Sequence, residues 1–177
     1  MARHIYSCPL RWSDMDAFGH VNNVVFLRYL EEARIDFMFR LAPGEGSESF
    51  TGGSVVARHE IDYLRPLVHR HEPVTVETWV TKVTAASLTV AYEVKDAEMV
   101  YVRAATVVVP YNLEKGRPRR ITAEERSFLE GYFDDSAGSP GDAGRGAVMR
   151  RLPPRRRRRS RSRCRRSIPR GRTAPPP

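Results

Sequence analysis

This 177-residue sequence predicts an α+β fold, a sheet of consecutive antiparallel strands wrapped around one long helix, and three observations predict it. From Val24 onward the apolar positions Phe26, Leu30, Ala33, Phe37 and Leu41 step by four, three, four and four residues, which lines a single helical face. Downstream, β-prone runs at 54–67, 74–84, 86–94 and 99–109 follow one another without a second long helix between them, the pattern of an antiparallel sheet. Beyond Asp135 the composition shifts abruptly to Arg, Pro, Gly and Ser with almost no large apolar residues, so the folded domain is expected to span 1–135.

The stretch from His4 to Trp12 reads as a first strand with Ile5, Cys8, Leu10 and Trp12 as its apolar members, and Pro9 argues for an edge or a bulge. The helix follows. Asn22 or Asn23 supplies an N-cap, Pro43-Gly44 stops it, and Arg28 with Glu32 and Asp36 with Arg40 are i,i+4 pairs worth ~0.3 kcal/mol each. Its apolar face is widened by Val24, Val25, Leu27 and Met38, and so wide a face calls for a sheet wrapped around it. Residues 45–53 are rich in Gly and Ser and are expected to form a mobile connection beside any pocket.

In the first of the later strands Val55, Ala57, Ile61 and Tyr63 alternate with Arg58, Glu60 and Asp62, giving one buried and one wet face. His59 falls on the apolar phase and reads as a satisfied core histidine rather than a ligand. His69-Arg70-His71-Glu72 has no third ligand group nearby in sequence and reads as a solvated turn rather than a metal site. Lys95-Asp96-Ala97-Glu98 is a tight turn, and the capping-box spacing of Thr122 and Glu125 starts a short helix reaching about Tyr132.

The formal net charge of +9 is a property of the end of the chain. Fourteen of the 30 basic residues but only one acid, Asp142, fall in 136–177, which leaves 16 basic against 20 acidic residues in 1–135, a net of −4. A nucleic-acid function for the domain is therefore not indicated, and any polyanion binding is expected to be non-specific, through the tail. Residues 136–177 carry the run Arg155 to Arg159 and a proline-rich end, and are expected to be disordered. The two cysteines imply no disulfide framework, the N-terminal stretch has no apolar signal region, and no apolar run approaches a membrane span, so a reducing cytoplasm is the expected compartment, with no membrane partner.

The chemistry concentrates in Arg11 to Asn23, where two carboxylates, an imidazole, a glycine and two amides precede the helix. A helix N-terminus offers unpaired N–H groups and partial positive charge, so Asp16 beside one would join a base or nucleophile to an anion-stabilising pocket, as acyl transfer requires. The same spacing equally fits Asp14 and Asp16 as turn residues, His20 as a local donor and an asparagine as a cap.

The block from Asp14 to Asn23, followed by Tyr29-Leu30-Glu31-Glu32-Ala33-Arg34, closely resembles the signature of hotdog-fold thioesterases of the 4-hydroxybenzoyl-CoA thioesterase-like branch, and likeness continues through Tyr63-Leu64-Arg65-Pro66 and Gly116-Arg117-Pro118. The resemblance implies a hotdog fold, a curved antiparallel sheet around a central helix, hydrolysing an acyl thioester carried by CoA or an acyl-carrier protein, in a homodimer or homotetramer without cofactor or metal. It implies that Asp16 is the catalytic carboxylate, that the N–H near Asn23 polarises the thioester carbonyl, that His20 and Asn23 are orienting groups, and that Gly19, Asn22 and Ser87 meet the substrate. Thr84-Ala85-Ala86 departs from relatives that carry basic residues there for the CoA phosphates, leaving Lys82 and Arg65 as basic candidates, each of which also reads as solvated surface. The rival readings are a hotdog dehydratase acting on carrier-bound acyl chains, for which no separate histidine motif stands out, and nucleic-acid binding through the tail.

Overall fold

The helical stripe forms where its period places it. In the computed structural model, which describes residues 2–44, 46 and 49–135, helix α1 (Asn23–Ile35) buries Phe26, Leu30 and Ala33 and runs without a break into a wider π-type turn, Asp36–Leu41, that buries Phe37 and Met38. Each large stripe residue removed from water contributes ~2 kcal/mol. Val24 is not part of that face: it is 65% exposed, and Tyr29 and Arg34 are buried instead. The basic tail and the disorder expected of it lie outside the described residues, as do Glu45, Ser47 and Glu48 of the connection expected to be mobile. The described end of that connection is anchored, because Phe50, in a 3₁₀ turn at Phe50–Gly52, is fully buried.

The strands are β1 (His4–Cys8), β2 (Ser54–Tyr63), β3 (Val74–Val83), β4 (Leu88–Lys95), β5 (Val100–Asn112) and the short β6 (Arg117–Pro118). They form one antiparallel sheet in the order β1-β3-β4-β5-β2, with β6 on the end of β5. The sheet curls around α1, and Val76, Val90, Tyr92, Val94, Val102 and Val108 meet the helix in a single apolar cluster. Helix α2 (Ala123–Glu130) starts at the expected capping box, with Thr122 and Glu125 bonded reciprocally. Glu125 is also buried against Arg119, whose guanidinium donates two bonds of 2.8 and 2.6 Å to it, so the end of the domain is tied down by a buried ion pair.

Two strand expectations are corrected. β1 stops at Cys8, since Pro9 has no N–H for the ladder, and the chain turns through a 3₁₀ turn at Trp12–Asp14; Ile5 and Trp12 are exposed, Trp12 by 77%. β2 has no buried face, because it is an edge strand paired only with β5 and a bulge at Ala57, between Val56 and Arg58, shifts its phase. Ile61 alone of its expected apolar set is half-buried. His59 is accordingly not a core residue, although its Nδ1 is 2.9 Å from the hydroxyl of buried Thr106.

Candidate active site

The loop between the 3₁₀ turn and α1 is closed at its base. Met15 and Val21 pair across it, the Asn22 N–H donates to the Asp14 carbonyl at 2.9 Å, and the Val21 N–H donates to the Leu67 carbonyl at 2.7 Å. Between these ties the chain turns at Gly19, whose φ of +78° is a conformation that side chains on Cβ disfavour. The two aspartates take different places in this frame. Asp14 is buried, and its Oδ2 accepts from the Tyr29 hydroxyl at 2.6 Å and the Arg11 N–H at 3.0 Å; burial, and then the Asp14 bond, push the Tyr29 pKa up. Asp16 is half-buried at the turn, where its Oδ1 accepts the N–H groups of Phe18 at 2.8 Å and His20 at 3.3 Å, while its Oδ2 has no partner among the described residues. One carboxylate is built into the fold and the other is held by one oxygen only.

At the helix start, capping and a free donor coexist. Asn22 is the N-cap: its side chain accepts the Val24 N–H at 3.0 Å and its carbonyl the Val25 N–H at 2.9 Å. The N–H of Asn23, at the first helical position, meets no acceptor among the described residues. Asn22 Oδ1 is thus committed to the backbone, leaving only its amide N–H₂ for a ligand. The half-buried His20 side chain makes no hydrogen bond among the described residues, its backbone N–H and C=O both being bonded to Asp16. Tyr63, to which the sequence alone assigns no role, donates its hydroxyl to the Asn23 carbonyl at 3.0 Å and packs edge-on against Phe26.

Asp16, Gly19, His20, Asn22 and Asn23 therefore share one loop and helix start, and Ser87 does not join them. Ser87 lies in the β3–β4 turn, its Oγ 2.8 Å from the Thr84 hydroxyl, whereas the Asp16 loop is tied to Leu67 and His69 just before β3 begins. The ten residues of β3 separate the two places by ~30 Å within one chain. The turn that lacks basic residues in sequence gains one in space, because Arg126 of α2 donates to the Thr84 carbonyl at 2.7 Å. Lys82 and Arg65 are exposed. Among the described residues no three His, Cys, Asp or Glu side chains gather as a metal site, and no helix is long and apolar enough to cross a membrane.

A family model for the thioesterase-like superfamily matches residues 10–130, from just after β1 to the end of α2. The chain belongs to the thioesterase-like superfamily. This thioesterase is 33% identical over 123 residues to the uncharacterized protein YsmA of Bacillus subtilis, covering 68% of this chain and 80% of that one. Its fold matches a thioesterase from Thermus thermophilus complexed with coenzyme A and Zn, at 34% identity and a TM-score of 0.60, over 71% of this chain and 95% of that one. It also matches a predicted thioesterase from Bacillus stearothermophilus at 25% identity and a TM-score of 0.64, covering 79% of this chain and all of the other. The hotdog architecture expected from sequence is thus the one observed, and the chain is a thioester hydrolase.

Proposed function

We propose that the substrate is an acyl-CoA and that the Asp16 carboxylate performs the attack, either on the thioester carbon to give a mixed anhydride or as the base that deprotonates a water. The observation that carries this reading is the pairing, at one helix start, of a carboxylate with an unengaged oxygen and a backbone N–H with no acceptor. In the base route Asp16 takes a proton from water, the water oxygen bonds to the carbonyl carbon, and the C–S bond breaks to release CoA thiolate, which takes up the proton. In the nucleophilic route the carboxylate oxygen forms that bond, the thiolate leaves, and water then hydrolyses the anhydride. In both, negative charge builds on the carbonyl oxygen, where the Asn23 N–H is worth ~3 kcal/mol. His20 and the Asn22 amide orient the acyl group, and Gly19 lets the backbone approach it closely.

Ser87 lies too far from its own Asp16 to share a substrate with it, so a substrate role for Ser87 belongs to a second subunit's site. The exposed edge of β2 supports a homodimer as the working form. In that arrangement the β3–β4 turn of one subunit, with Arg126 and Lys82 beside Ser87, supplies the positive charge for the CoA phosphates of the other. The test is thiol release by the full-length protein over a panel of acyl-CoAs and an acyl-carrier protein. Turnover of acyl-CoAs that disappears in Asp16→Asn is expected; activity on the carrier protein alone would move the substrate assignment.

A further inference from the structure

Half of the large apolar side chains that the described residues expose gather at the reactive loop and the segment that props it. Of the twelve, Trp12, Phe18, Val24, Tyr63, Leu64 and Val68 fall there, with Phe18 83% and Trp12 77% exposed. A concentration of that kind, rimmed by the exposed Arg11 and Arg65, marks a surface that something apolar covers.

The surface crosses one end of the sheet. Tyr63 closes β2 and Cys8 closes β1, the two opposite edges, and the strand register puts both at the same end, with Val74, Lys95 and Val102 between them. Residues 64–69 span that end. The Leu64 and Arg65 N–H groups donate to the Tyr101 carbonyl of β5 at 2.9 and 3.2 Å, the Leu67 carbonyl takes the Val21 N–H, and the His69 N–H meets Met15 Sδ at 3.3 Å. His69 in turn lies edge-on to Trp12, ring centroids 5.7 Å apart, so the Trp12 end of the surface is held in place. Four strand spacings separate β2 from β1, up to about 19 Å, a span that a long acyl chain fills and a short one does not.

Direction decides what covers this surface. In the proposed reaction the thioester carbonyl lies between Asp16 and the Asn23 N–H. The nearest exposed apolar side chains are Phe18, whose own N–H holds the Asp16 carboxylate at 2.8 Å, and Val24, the residue after Asn23. From there the CoA arm leaves over β2 toward the β3–β4 turn of the second subunit, so the acyl arm leaves the other way, over Phe18 toward Trp12 and Val68. A copy paired along β2 covers that edge and not Trp12, which follows β1 at the opposite one.

We infer that this surface carries the acyl chain, making the enzyme selective for long, apolar acyl-CoAs over short ones, with Phe18 beneath the first half of the chain and Trp12 and Val68 beneath the second. This deepens the acyl-CoA reading and rests on it.

The test is kcat/KM for butyryl-, octanoyl- and dodecanoyl-CoA, each below its micelle concentration, on the full-length protein. A chain lying against an open surface leaves water on one side only, so the expected rise is about twofold per added methylene, the square root of the factor for full burial. Phe18→Ser should lower the octanoyl-to-butyryl ratio about threefold, and Trp12→Ser the dodecanoyl-to-octanoyl ratio by as much, each more than the other's. Both side chains are exposed, so melting temperature and light-scattering mass should hold. Equal kcat/KM for the three substrates, or ratios that survive both substitutions, overturns the acyl surface and leaves the acyl-CoA reading intact. A variant that lowers the mass while its ratio stays in place shows a protein contact there and overturns it as well. Should none of the three be hydrolysed, the acyl-CoA reading fails, and calorimetry of S-dodecyl-CoA, an uncleavable thioether, against CoA decides the surface: tighter binding of the thioether that Trp12→Ser weakens supports it, and equal binding rejects it.

Discussion

The Tyr29 hydroxyl donates to the Asp14 carboxylate at 2.6 Å in a closed part of the core, while Asp16, two residues on, binds only backbone N–H groups and keeps an oxygen unengaged. The first prediction divides the two acids accordingly. Asp14→Asn weakens a buried network and should cost about 1–2 kcal/mol, seen as a melting temperature lower by several degrees, with a modest effect on rate. Asp16→Asn keeps shape and loses charge, so the single-turnover rate should fall ~10²-fold or more with little change in melting. Near-native turnover by Asp16→Asn would move the catalytic carboxylate elsewhere.

The second prediction concerns the Asn23 peptide. Tyr63 holds the Asn23 carbonyl, one Cα away from the unengaged Asn23 N–H, and so steadies the residue that presents that donor without touching the substrate atoms itself. Tyr63→Phe removes about 1 kcal/mol of hydrogen bonding, which should appear as a fall of about fivefold in kcat with KM little altered. The hydroxyl lies near the surface and the residue is 42% exposed, so the melting temperature should hold. A change confined to KM would place Tyr63 in substrate binding instead.

The third prediction concerns the proposed homodimer: an edge strand with Val55 and Val56 about two-fifths exposed is the kind of surface that can pair with another chain. A light-scattering mass of at least two chains is expected for active protein. Val56→Glu places charge on that edge and should shift the mass toward one chain and lower turnover together, since Ser87 then has no second site to serve. Full activity in a preparation whose mass is one chain would reject the shared site.

Much of this was legible in the sequence because local patterns and the fold agree. The stripe Phe26, Leu30, Ala33, Phe37 is spaced for a helix and is buried as one, and the Thr122–Glu125 box caps α2 as written. What was not legible depends on partners far along the chain. The alternation in β2 looks like a half-buried strand, and only the sheet order reveals an edge whose phase a bulge has shifted. Tyr63 meets Asn23 across 40 residues, and Arg126 reaches the β3–β4 turn across 42, contacts no window of sequence contains. Capping and a free donor are compatible at this helix start, since Asn22 does the capping and the Asn23 N–H meets no acceptor among the described residues.

The tail offers a fourth prediction. Polyanion attachment through many arginines falls steeply with salt, whereas chemistry at the Asp16 site need not. Protein ending at Asp135 should keep its kcat/KM and lose salt-sensitive binding to DNA. A large loss of kcat/KM with fold and mass preserved would tie the tail to catalysis.

The last prediction is a pH dependence centred on Asp36, where α1 passes into the wider turn. The Arg40 guanidinium, bonded at 2.7 and 2.9 Å, and then the buried His4, whose Nε2 is 2.7 Å away, hold the Asp36 carboxyl down at about 2 against partial burial. Its value in the unfolded chain is near 4, so the folded state binds the proton less readily than the unfolded one. The stabilisation is therefore complete above about pH 4 and is lost as pH falls toward 2. Asp36→Asn should melt several degrees below the native protein at neutral pH, and the gap should close across that window. A gap that stays constant from pH 5 to about 2 would mean that Asp36 acts by shape rather than charge, and the linkage to Arg40 and His4 would be wrong.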